Sequence, residues 1–146
     1  GKRTIVKQKK DLNQTFKSGP IVLTINAIQS ATLKPSEDYK DMFDGKDELT
    51  VITVNMKVEN TSDDTISIYP NQSVLTTDTG KQVDADLWFS DDVGGDFYGK
   101  IKKEGNVIFL LDTPAKQINK IKLIISGAHN EEYDSLSDDV QIELSF

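Results

Sequence analysis

Residues 90–100 read SDDVGGDFYGK, in which Gly94, Gly99 and Lys100 have the G-x-x-x-x-G-K spacing of a phosphate-binding loop. That chemistry needs a helix whose N-terminus meets the phosphates, and a Ser or Thr after the lysine to hold magnesium. Here Ile101 stands at the magnesium position, and Gly105 and the strand-like run NVIFLL occupy the place of the helix. Asp91, Asp92 and Asp96 would also repel the phosphates. The phosphate reading fails.

The same three aspartates support a second reading. Calcium takes about six to eight oxygens from carboxylates and carbonyls on a flexible loop. Asp91, Asp92 and Asp96 with two adjacent glycines supply such groups, although without the EF-hand spacing, and DGKDE at 44–48 is a second acidic loop. A calcium-stabilised domain is therefore a rival to a cofactor-free one. Aromatic side chains flank the loop as well. Trp88, Phe97 and Tyr98 form the candidate binding patch, the bland alternative being that Trp88 packs beneath the 90–100 loop.

Catalysis finds less support. His129 is the only histidine and lies in the loop SGAHNEEYD, and no G-x-S-x-G nucleophile elbow occurs. The 24 acidic residues permit many carboxylate pairs for a hydrolase, but the sequence singles none out. The expectation is a protein that is not an enzyme, with the carboxylate-based hydrolase as the second alternative.

Short apolar runs of period two must position these groups. Ile52, Val54, Met56 and Val58 share one face of a run, as do Val83, Ala85, Leu87 and Phe89, then Ile121, Leu123 and Ile125, and finally Val140, Ile142, Leu144 and Phe146. The run opened by Ile21, Leu23 and Ile25 loses its alternation near Ala27–Ile28, which predicts a bulge or bend. With TISIYP, SVLTT and NVIFLLD, and with turn chemistry at NTSDD, DTGK, KEGN and DTPAKQ, the pattern reads as an all-β antiparallel sandwich of about seven to nine strands. One segment departs from it. Ser36 as N-cap, Tyr39, Met42 and Phe43 on one side and Gly45 as a stop predict a short helix at about 36–44. Residues 1–11 are polar and read as an N-terminal tether, with TIVK as an optional edge strand, and 12–146 as one domain.

Composition narrows the partners. A net charge of -7 and a single arginine, Arg3, exclude the basic stripe that nucleic acids require and argue against electrostatic binding to an anionic membrane. The absence of cysteine removes disulfides, thiolate metal sites and thiol nucleophiles. Asn13, Asn60 and Asn71 each open an N-x-S/T glycosylation sequon, relevant only in a eukaryotic secretory pathway, and the Lys-, Asn- and Ile-rich composition favours a bacterial source. A monomer is the default oligomeric state.

At its centre the sequence resembles a known family. The long strand ends in V-x-N-x-S (Val58, Asn60, Ser62), a hairpin comes next with Asp78 and Gly80, and a later strand carries Gly105, Val107 and Phe109. This pattern, over residues 12–146, resembles the telokin-like, immunoglobulin-like domains of unknown function of secreted lipoproteins in Gram-positive bacteria such as bacilli. The resemblance implies a lipid-anchored N-terminus upstream of Gly1, display on the outer face of the cytoplasmic membrane, and a non-catalytic surface module that binds a protein or cell-envelope partner through loops at one end. It brings no catalytic residues.

Overall fold

The computed structural model describes residues 1–146. Eleven strands run in order: β1 (Lys2–Lys9), β2 (Gln14–Ser18), β3 (Ile21–Lys34), β4 (Leu49–Asn60), β5 (Thr65–Ile68), β6 (Val74–Thr77), β7 (Gln82–Asp84), β8 (Gly95–Tyr98), β9 (Lys102–Leu111), β10 (Lys120–Ile125) and β11 (Val140–Ser145). They build a five-stranded sheet ordered β1-β3-β4-β9, with β2 also on β3, a four-stranded sheet ordered β11-β10-β6-β7, and the small pair β5-β8. Every pairing is antiparallel. The expected all-β sandwich is present.

Alternation decides which side chains meet between the sheets. β3 contributes the row Ile21, Leu23 and Ile25, each fully buried. Beside it stand Val54, Met56 and Val58 of β4 and Val107 and Phe109 of β9. From the four-stranded sheet come Leu75, Ile121, Leu123, Ile142 and Leu144. The register of β3 shifts between Ile25 and Ala27, where the sequence loses its alternation. Beyond this bulge Ile28 and Ser30 resume the buried alternation, with Ala31 buried as well, so the one-residue shift keeps the long strand on the core.

Two segments differ from the simplest reading. Residues 2–9 form the optional edge strand expected at TIVK, extended in both directions, and not a tether. They pair with residues 28–34 of β3 and cover the flank that β2 leaves open. From β1, Lys7 Nζ donates to the Ile118 carbonyl (2.7 Å) and to Asn119 Oδ1 (2.7 Å), which ties this edge to the chain leading into β10. The run QVDADLWF is likewise not one strand, because β7 stops at Asp84. Asp86 Oδ1 then accepts from the Trp88 and Phe89 N–H groups (2.9 and 3.0 Å) and turns the chain.

The expected short helix is a 3-10 helix, Glu37–Phe43. Ser36 occupies the N-cap without a side-chain bond, and Asp44 adopts the left-handed backbone (φ 57°) ahead of Gly45. Only Phe43 of the predicted apolar face packs down, joining Leu33, Leu49, Val51, Ile108 and Leu110 on the outside of the large sheet, while Tyr39 and Met42 stay exposed. Lys40 bridges Glu37 (2.9 Å) and Asp47 (2.5 Å), and these hydrogen bonds, Asp47 first, push its pKa up to about 12.

Candidate functional site

The 86–91 segment runs along the free edge of β9. The Asp86 and Asp91 N–H groups donate to the carbonyls of Ile108 and Asn106, both at 2.8 Å. In return Ser90 Oγ accepts from Ile108 N (2.8 Å) and Asp91 Oδ2 from Asn106 N (2.7 Å). Side-chain oxygens thus stand in for the missing neighbouring strand, one way in which exposed sheet edges are kept from pairing with other chains. Gly105 makes room for this: a Cβ there would lie 2.6 Å from the Asp91 Cβ.

This arrangement separates the three aspartates considered for calcium. Asp91 is bound to β9, Asp92 faces Lys103 at 3.9 Å, and Asp96 accepts from the Ser67 hydroxyl. No group of three His, Asp or Glu side chains anywhere in the chain is placed to hold a metal ion. The three carboxylates thus have separate partners and do not converge on one point. Of the phosphate-loop residues, Lys100 sits 3.9 Å from Asp63, and Gly94 packs so closely that a Cβ would come within 3.1 Å of Tyr69 Cα.

The expected patch of Trp88, Phe97 and Tyr98 is not one surface. Phe97 is fully buried, because neighbours on a strand point to opposite faces and Tyr98 takes the outer one. Trp88 is 91% exposed on a turn held at Ile108, whereas Tyr98 lies on β8, paired with Thr65 of β5. Phe89, next to Trp88, stacks on Phe43 with centroids 5.7 Å apart.

A different constellation gathers on the outer face of the β5-β8 sheet. β5 places Thr65 and Ser67 outward, with Tyr69 directly after it, and β8 places Asp96 and Tyr98 beside them. His129 joins through backbone bonds in both directions with Ser67 (2.9 and 3.0 Å). Its ring lies between those of Tyr69 and Tyr133, with centroids 6.2 and 5.7 Å away. Tyr133 is 83% exposed and has φ 63°, a backbone region that bulky residues rarely enter. Asn130 holds the turn by accepting from the Glu132 and Asp134 N–H groups (3.0 and 2.9 Å). The result is a cleft of about 360 Å³ lined by three tyrosines, the histidine, Asp96 and Glu131.

Asn60 locks this small sheet to the large one. It is fully buried, which rules its sequon out as a glycan acceptor in the folded chain. Its Nδ2 donates to the carbonyls of Asp64 (2.8 Å) and Phe97 (3.3 Å), and its Oδ1 accepts from Ser62 N (3.0 Å) and Ser62 Oγ (2.8 Å). The V-x-N-x-S pattern is therefore a joint between sheets. Sequence reasoning missed Tyr69, Tyr133 and the placement of His129, which only the pairing of Ser67 with His129 brings together.

Comparison with known proteins places the fold. The family model described as "Domain of unknown function (DUF4352)" matches residues 10–134. The SPbeta prophage-derived uncharacterized lipoprotein YonS of Bacillus subtilis is 29% identical over 134 residues, covering 90% of this chain and 60% of that protein. Uncharacterized protein YdhF of the same organism is 23% identical, covering 99% of this chain and 68% of its own length. The chain thus spans about two thirds of the length of these relatives. Among solved structures, a functionally unknown protein from Listeria monocytogenes superposes with TM-score 0.72 at 14% identity, covering 100% of this chain and 88% of that one.

Proposed function

The chain belongs to the DUF4352 family, and from that premise we propose that it is a non-catalytic binding module of a bacterial lipoprotein, displayed outside the cytoplasmic membrane. It takes its partner on the outer face of the β5-β8 sheet. The observation that carries this reading is the convergence of Tyr69, Tyr98, Tyr133 and His129 on one cleft, with Tyr133 held in a strained backbone conformation by Asn130. Strain of this kind clusters at functional sites. The lipoprotein relative supports the location. Support for a non-catalytic role comes from His129, whose ring lies between two tyrosines, while the Ser67 hydroxyl donates to Asp96.

The test is retention of the purified chain on cell-envelope preparations from Bacillus subtilis, the organism of the relatives. The wild type is retained, and a folded Tyr98→Ala/Tyr133→Gly variant is not. Equal retention of both would rule this face out, and no retention of the wild type would rule out the envelope-binding role.

A further inference from the structure

We propose that the β5-β8 cleft receives an organic cation, an alkylammonium or guanidinium group; this rests on the reading of that face as the binding surface. Three features select the ligand class. Tyr69 and Tyr133 each stack one face on the His129 ring, which leaves the exposed rings of Tyr98 (73%) and Tyr133 (83%) to offer a face, and tyrosine faces attract cations through their negative quadrupole. Asp96 and Glu131 line the same cleft, and no lysine or arginine does. The lysines around β8 are engaged elsewhere: Lys103 with the Gly94 carbonyl (2.6 Å) and Asp92, Lys100 with Asp63.

The hydrogen-bonding inventory points the same way. Asp96 Oδ1 accepts from the Ser67 hydroxyl, while Oδ2 has only a long 3.5 Å contact with the Tyr98 hydroxyl. Asn130 is occupied within its own turn: Nδ2 donates to Asp134 (3.2 Å) and Oδ1 accepts two backbone bonds. Carboxylate acceptors with spare capacity thus face the cleft, which suits a donor-rich cation and disfavours an anion.

The experiment is a titration of the 15N/13C-labelled chain followed at the aromatic resonances. The probes are choline, its uncharged isostere 3,3-dimethylbutan-1-ol, and an arginine- and lysine-containing peptide. Choline or the peptide moves the Tyr69, Tyr98, Tyr133 and His129 ring signals, and the isostere leaves them in place. Movement by choline identifies a free small cation as sufficient, and movement by the peptide alone identifies a basic protein segment. Asp96→Asn, which keeps an acceptor for Ser67, and Tyr133→Gly, which suits the left-handed backbone, each weaken binding by about fivefold or more. Equal movement by the isostere, or none with either cation, overturns the inference. The binding face itself survives that result if envelope retention still depends on Tyr98 and Tyr133.

Discussion

Asn60→Asp is nearly isosteric, yet it converts a joint between sheets into a repulsion. The amide makes four hydrogen bonds at a fully buried position, two donated and two accepted. Aspartate keeps the two acceptor bonds from Ser62 but turns a carboxylate toward the carbonyls of Asp64 and Phe97. Losing the bond to the buried Phe97 carbonyl costs about 1–3 kcal/mol, and losing the part-buried one to Asp64, whose carbonyl also accepts from Gly99 N (3.3 Å), about 0.5–1.5 kcal/mol, so about 1.5–4.5 kcal/mol together. With an unfolding entropy of about 0.3 kcal/mol/K for 146 residues, the melting temperature should fall by about 5–15 °C. Thermal melts by circular dichroism at pH 7 measure this. Hydrogen exchange adds the location, since protection should be lost first in β5 and β8 and last in β3 and β4. A melting temperature within about 2 °C of wild type would refute the joint.

Asp91→Asn preserves the acceptor for Asn106 N and should melt within about 2 °C of wild type, whereas Asp91→Ala should lose about 3–7 °C. The same melts with millimolar calcium and with chelator should superimpose; a shift that depends on Asp91, Asp92 or Asp96 would restore a calcium site. For Asp78, desolvation raises the pKa, but backbone N–H groups of Asn119, Lys120 and Asp78 itself, with the Lys7 charge, outweigh it and hold the carboxyl below its ordinary value. Because the folded value is depressed, its contribution is present above the unfolded value of 3.8 and fades as pH falls through the folded one. Asp78→Asn should therefore be less stable than wild type at pH 7, with the gap closing below about pH 4 in urea titrations. Deleting residues 1–9 should lower the urea midpoint markedly by exposing the β3 flank; an unchanged midpoint would mean that β1 contributes nothing.

Period-two alternation made the sandwich legible, including the β3 bulge, because burial on one face leaves a mark at every second residue. The family cues proved to be structural parts: Asn60 joins two sheets, Gly105 admits Asp91, and Val107 and Phe109 fill the core. The same alternation rule separates Phe97 from Tyr98, but β8 is a four-residue strand beside two glycines and leaves too short a pattern to recognise. Asp86 ends the QVDADLWF run by side-chain bonds that hydrophobic pattern does not register. The cleft is hidden for a different reason. Tyr69, Tyr98 and His129 lie far apart in sequence, and their meeting depends on long-range pairing of Ser67 with both Asp96 and His129.

Chemical-shift mapping of the labelled chain against a solubilised Bacillus subtilis envelope extract tests the binding face most directly. The largest changes are expected at Tyr69, Asp96, Tyr98, His129 and Tyr133. Changes confined to the apolar surface around Met42, Phe89 and Trp88 would contradict a binding site on the β5-β8 sheet.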